Sequence, residues 1–176
     1  RRPLTMANYR ACARLQRKCP FCRKDIPKTH EEIDERFMKR VEANDPVAMC
    51  DMGRRIYIKG DYEKSFEYWT KAAALGDMMA HYQLSTLYRN GQGVEEDEKK
   101  ELHHLTEAAI GGHPLARHNL GCVENEIGRM DRAVKHWIIA AKLGYDDSLG
   151  NVKALYEAGL ASKEDFATAL RGHKAA

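Results

Sequence analysis

The sequence predicts an all-α fold, an α-solenoid of stacked antiparallel helix hairpins preceded by a short irregular N-terminal segment. Three observations carry this. Between Ala80 and Gly112, apolar and small residues fall at helical spacing in two successive runs: Ala80, Leu84 and Tyr88, then Leu102, Leu105, Ala108 and Ala109. The run Asn90-Gly91-Gln92-Gly93 separates them, and glycine supplies the positive φ that a tight reversal needs. The pattern then recurs. Ala48, Met52 and Gly53 open an upstream copy that closes on Trp69, Ala72, Ala73 and Gly76; Ala116, Leu120 and Gly121 open a downstream copy that closes on Trp137, Ala140, Ala141 and Gly144. The opening alanines are spaced by 32 and 36 residues, and the difference sits in a loop. One hairpin cannot bury its own apolar face, so a repeated hairpin implies a stack.

Length and composition agree. The 176 residues suffice for a small module plus a repeat array, and 43% hydrophobic with 31% charged residues fits a largely helical protein without a membrane-spanning run. Residue 1 is Arg, which reads as a fragment or a processed chain. The net charge of +3 is uneven: Arg1, Arg2, Arg10, Arg14, Arg17, Lys18, Arg23 and Lys24 precede the first acidic residue, Asp25. Removing those eight from 29 basic residues leaves 21 against 26 acidic ones. A basic end can attract nucleic acid, but no aromatic platform or reading helix accompanies it, so a solvated segment is the plainer reading. Cys12, Cys19, Cys22, Cys50 and Cys122 are few and odd in number, which argues for an intracellular, reducing compartment (cytoplasm or nucleus) over a disulfide framework.

Residues 1–28 differ from the rest. Lys18-Cys19-Pro20-Phe21-Cys22-Arg23 holds a C-x2-C pair, which lets two thiolates grip one zinc ion from a single turn, at about 2.3 Å each. Alone the pair is half a site. The segment resembles the last knuckle of a RING finger, whose final pair commonly reads C-P-x-C-R. That resemblance implies that Cys19 and Cys22 are the last two zinc ligands, that Pro20 faces a ubiquitin-conjugating enzyme, and that Arg23 bridges ubiquitin and that enzyme. The departures are large: upstream of Cys19 there is only Cys12 and no histidine, so the RING is truncated or degenerate. A single site from Cys12, Cys19, Cys22 and His30 is an alternative, and unliganded cysteines are another.

Residues 29–45 read as a capping helix. Thr29 with Glu32 is a capping box, and Ile33, Phe37, Met38 and Val41 line one face until Asn44-Asp45-Pro46. Residues 46–176 read as about three and a half repeats, 46–77, 78–113, 114–145 and 146–176, with helix pairs at 46–58 and 62–75, 78–90 and 96–110, and 114–127 and 130–143. In the last unit Ser148, Val152 and Tyr156 take the alanine, leucine and tyrosine positions, and Ser162 with Asp165 starts a final helix.

The repeat pattern A-x3-LG-x2-Y, a G-x-GV-x2-D loop and W-x2-AA-x2-G resembles the Sel-one-like repeat, a relative of the tetratricopeptide repeat. Only the middle unit has the long loop, Gly91 to Asp97. Glu124 stands where the middle unit has Tyr88, which reads as looser packing or a more exposed edge.

No catalytic constellation appears. Gly91-Gln92-Gly93-Val94 follows a helix rather than a strand, so it is no phosphate loop. His103 and His104 are adjacent and point to different helix faces. Cys50 and Cys122 read as buried or groove-lining thiols, and Trp69 and Trp137 as core spacers. Stacked hairpins offer instead a concave surface lined by the first helix of each pair. By analogy with tetratricopeptide grooves, its inward residues are Arg54, Tyr57, Tyr82, Arg89, His118 and Asn125. Arginine and tyrosine anchor partners at little entropy cost. The expected function is a protein–protein interaction scaffold holding a protein or peptide. The alternative is part of a RING-type ubiquitin ligase, partnered by a ubiquitin-conjugating enzyme, whose repeats recruit substrate.

Overall fold

The computed structural model describes residues 29–176, in which there are nine α-helices and no strand. The chain divides into two units, 1–43 and 44–176. In the first lies α1 (His30–Glu42), started by Thr29, whose hydroxyl accepts from the Glu32 amide at 3.2 Å. Asn44, at φ 56°, follows; asparagine tolerates this left-handed backbone better than other side-chain-bearing residues. No helix among the described residues is long and apolar enough to cross a membrane.

The second unit is an array of hairpins: α2 (Pro46–Ile58) with α3 (Tyr62–Ala74), α4 (Met78–Asn90) with α5 (Glu98–Ile110), α6 (Pro114–Glu126) with α7 (Met130–Lys142), and α8 (Asp146–Glu157) with α9 (Lys163–Ala175). Every predicted helix is present, and those given bounds start and end within three residues of them. Local chemistry explains the starts. Asp45, Asp61, Asp77 and Asp97 each cap a helix through a side-chain oxygen, and the His113 ring nitrogen accepts from the Ala116 amide at 3.1 Å. Ser162 and Asp165 form the reciprocal capping box at the head of α9.

Each second helix packs on its own first helix and on the first helix of the next unit, so α3 meets α4, α5 meets α6 and α7 meets α8. Those seams are lined by alanine. Ala72, Ala108, Ala116, Ala140 and Ala141 are wholly buried, as is Ser148 at the alanine position of the last unit. Small side chains let the helix axes approach, and the larger Trp69, Leu84, Leu105 and Val152 fill the space between. Burying each such large apolar side chain contributes roughly 1.5–3 kcal/mol. The end of the array is closed differently: α9 packs on α7 as well as on α8, with Ala169 buried against Trp137, Ile138 and Val152.

The long loop of the middle unit is held by the unit before it. Tyr57 donates its hydroxyl to Gln92 Oε1 at 3.0 Å. A side chain at Gly93, φ 70°, would stand 2.7 Å from the Tyr62 backbone, so this turn demands glycine for both conformation and space.

Glu124 does not mark an exposed edge. Its side chain is only 12% exposed, paired to Arg132 at 3.1 Å and to Arg129 at 3.7 Å. The position is buried by the hairpin geometry whatever residue occupies it, and two arginines of the following turn supply the charge that Glu124 needs.

Candidate functional site

Successive first helices α4, α6 and α8 are separated by the second helices wedged beneath them, which leaves clefts between them. A cleft of about 500 Å³ lies among α4, α5 and α6, lined by Arg89, Glu98, Glu101, Leu102, Leu105, Asn119, Cys122, Val123, Glu126 and Ile127. A smaller one, about 340 Å³, lies among α6, α7 and α8, lined by Cys122, Asn125, Glu126, Trp137, Asn151, Ala154 and Leu155. The two share Cys122 and Glu126 and therefore adjoin. They also use the same register. Asn119 and Asn151 each stand three residues after the opening small residue of their unit, Ala116 and Ser148.

The six residues expected on the inner surface divide into two groups. Arg54, Arg89 and Asn125 keep solvent-accessible side chains. Arg54 is exposed and pairs with Asp51 at 3.2 Å; Arg89 pairs with Glu101 at 2.5 Å at the mouth of the larger cleft; Asn125 lines the smaller one. Tyr57, Tyr82 and His118 are engaged inside the array. The Tyr57 ring packs against Tyr62 and Trp69 while its hydroxyl holds Gln92. Tyr82 stacks on His113, ring centroids 4.5 Å apart. His118 meets Ser148 Oγ at 2.8 Å and the Tyr145 ring at 4.9 Å.

The cause is a joint common to the units. Cys50, Tyr82 and His118 each stand two residues after the opening alanine, and each touches the residue that precedes the next unit's first helix: Asp77, His113 and Tyr145. Tertiary contact with the following unit therefore claims this position. The residues that sequence reasoning missed, Glu98, Glu101, Asn119, Glu126 and Asn151, lie on the flanks of that stripe. The matched spacing of Asn119 and Asn151 was a signal in the sequence for those two residues, and nothing comparable marked the three glutamates.

Cys50 and Cys122 are held as neutral thiols. Burial pushes the Cys50 thiol up to about 12, with the Asp77 carboxylate adding to it. Cys122 Sγ lies 3.5 Å from His118 Nε2, and His118 is in turn held by Ser148. That order of contacts resembles a nucleophile, a base and an orienting group, but the titration runs the wrong way. Burial raises the Cys122 thiol and lowers the His118 imidazole, so the neutral pair is favoured over thiolate and imidazolium.

His104 does meet a second histidine, His81, with Nδ1 atoms 3.0 Å apart. Yet no three metal-ligating side chains converge among the described residues. Cys12, Cys19, Cys22, Pro20, Arg23 and the side chain of His30 lie outside the described residues.

The hairpin stack has counterparts. A Sel1 repeat protein from Oxalobacter formigenes is 25% identical, with a TM-score of 0.67 over 83% of this chain and 66% of that one. The protective antigen c5321 of uropathogenic Escherichia coli, which displays an SLR fold, is 20% identical, with a TM-score of 0.64 over 85% of this chain and 35% of that one. The chain thus spans just under two thirds of the first structure and about a third of the second. Among curated proteins none matches the chain. The Sel1 repeat model matches residues 46–77, 79–113 and 114–145, the three hairpins built on Trp69, Leu105 and Trp137. With more than half of its length matched in this way, the chain belongs to the Sel1 repeat family.

Proposed function

We propose that the repeat array is a scaffold for a protein partner, held on the face formed by α4, α6 and α8. The observation that carries this is the adjoining pair of clefts between the first helices, about 500 and 340 Å³, whose polar lining is not used up by the fold. The side chains of Asn119, Asn125 and Asn151 make no hydrogen bond to another described side chain or to the backbone, while most other half-buried polar side chains in the array do. The Sel1 membership supports the reading, because stacked hairpins expose one long surface suited to binding.

The test is site-specific photo-crosslinking in cells of the source organism. A photoreactive residue at Asn119 or Asn125 should give protein adducts that one at Lys135, on α7, does not. Arg54→Ala with Arg89→Ala should weaken that capture while helical content stays intact. Adducts from Lys135 alone, or capture indifferent to both arginines, would place the binding surface elsewhere.

A second reading adds a ubiquitin ligase role in a longer chain, in a reducing compartment, with zinc on Cys19, Cys22 and Cys12 and a ubiquitin-conjugating enzyme against Pro20 and Arg23. It rests on the Cys19-Pro20-Phe21-Cys22-Arg23 sequence. Ubiquitin discharge by the intact, zinc-loaded protein tests it: Arg23→Ala should slow discharge, and no discharge at all removes the reading.

A further inference from the structure

One edge of the array is apolar. Each second helix ends, and each following first helix begins, on that edge. The two ends of one hairpin touch there: a Cβ on Gly111 would stand 2.7 Å from Met78 Cβ. Residues 74–79 and 110–115 hold no Lys, Arg or Glu, and their one carboxylate, Asp77, is used to cap α4. Val47, Leu75, Met79 and Ile110 are 54%, 51%, 43% and 68% exposed. With Met78 they leave on the order of 500 Å² of apolar side chain in water, the size at which a bare patch marks a contact surface. A polar rim brings such a patch close to the roughly 800 Å² per subunit of a standard interface. At the third handover Lys142, Asp146 and Asp147 end the patch.

The repeat register decides what fits this edge. Lys71, Ala74 and Leu75 share one face at the end of α3, at i, i+3 and i+4, and Glu107, Ile110 and Gly111 are the same stations at the end of α5. Val47 and Met79 are the matching second residues of α2 and α4. A second copy laid antiparallel on the edge, about a two-fold axis that crosses the stack between the first two units, sets every station of the first unit against the same station of the other copy's second unit. The facing residues then complement one another. Lys71 meets Glu107, with opposite charge. Ala74 meets Ile110 and Gly111 meets Leu75, small against large. Val47 meets Met79, apolar against apolar. Neither Lys71 nor Glu107 is in an ion pair among the described residues, and Lys71 Nζ rests over the Tyr68 ring, 5.8 Å from its centroid. An axis one unit further along sets Ile110 against Lys142 instead, so the register is specific.

We propose that this edge is a homodimer interface, in which a second copy of the chain binds antiparallel across the first two repeats, with Leu75 and Ile110 in its centre and Lys71–Glu107 pairs at its rim. The proposal goes beyond the scaffold reading and does not depend on it.

The experiment is sedimentation equilibrium of the full chain over a range of concentrations, with a thiol reductant present so that no disulfide links the copies. The wild type should show a monomer–dimer equilibrium. Ile110→Glu, at an exposed site, should weaken the dimer about tenfold or more while helical content by circular dichroism stays intact. Lys71→Glu sets like charges against each other twice and should also weaken it. Lys71→Glu with Glu107→Lys restores opposite charges and should recover the wild-type affinity. Ile58→Glu, at the far end of the first hairpin, should change nothing. A chain that sediments as a monomer at every concentration, a dimer indifferent to Ile110→Glu, or a double variant no tighter than Lys71→Glu overturns the proposal. If the chain is monomeric and a photoreactive residue at Ile110 gives adducts with a different protein, the edge belongs to that partner and the homodimer falls.

Discussion

Gly53 and Trp69 form one packing element divided between two helices. A Cβ at Gly53 would stand 2.6 Å from the indole Nε1, which donates to the Cys50 carbonyl at 3.0 Å. Gly121 and Trp137 repeat the arrangement, with 2.5 Å to the would-be Cβ and a bond to the His118 carbonyl at 3.2 Å. The middle unit solves the same problem with the sizes exchanged. Ser85 stands at the glycine position, Leu105 at the tryptophan position, and the serine hydroxyl donates to the Tyr82 carbonyl at 2.7 Å. A backbone carbonyl is thus answered in all three units, by indole or by hydroxyl.

Gly121→Ala should therefore overpack the third unit, at a cost of about 1–3 kcal/mol. Trp137→Leu alone should leave a void and remove the indole's added bond to the His118 carbonyl. Gly121→Ser with Trp137→Leu rebuilds the middle unit's solution, so the double variant should be more stable than the two single losses added together, by about 1 kcal/mol or more. Urea unfolding followed by circular dichroism measures all three, and strict additivity would mean that the two positions are independent.

The loop from Gly91 to Asp97 should behave as a clip on the unit before it. Tyr57→Phe removes the hydroxyl that holds Gln92 and should cost about 1 kcal/mol. Gly93→Ala should cost more, because the new methyl meets the Tyr62 and Glu63 backbone and alanine is strained at φ 70°. Hydrogen exchange should show faster opening of α2 and α3 in both variants, and a loss of protection confined to α4 and α5 would refute the clip.

The fold was legible because its signals are local. An aspartate, or a histidine followed by proline, starts most of the helices, and Gly76, Gly112 and Gly144 end units at positive φ. A reader of one unit sees these signals without needing the next. Tyr82 and His118 show where that method stops. Both carry the residue type and the helix face of a groove, yet each is claimed by the first turn of the following unit, across an interface that no single-helix pattern describes. Glu124 was misjudged for a similar reason: its partners Arg129 and Arg132 lie past the Gly128 turn and become neighbours only when the hairpin closes.

Glu124 should prove structural. Glu124→Ala strips a buried carboxylate from two arginines that are themselves more than half exposed, so the arginines return to water and the cost should be about 1–2 kcal/mol, below that of a fully buried pair. Glu124→Gln keeps the shape and should cost less than alanine. Thermal unfolding in low salt compares them, and equal stability of alanine and wild type would make the acidic residue merely tolerated.

Stability should also fall in mild acid, with His104 as the main cause. Burial, with the nearby His81 and His103, pushes its imidazole down to about 4, against about 6.5 in an unfolded chain. As pH drops, the unfolded state takes the proton first. The stabilisation is therefore complete above about pH 6.5, declines between there and about pH 4, and levels off below. Half-burial holds the loss to the order of 1–3 kcal/mol. Burial lowers His113, His118 and His136 in the same direction, so the wild-type slope should exceed that of one group. His104→Gln keeps a polar partner for His81 Nδ1 and removes the titration. Its urea midpoint should change less between pH 7 and pH 4.5 than the wild type's, and an unchanged slope would show that another group carries the acid sensitivity.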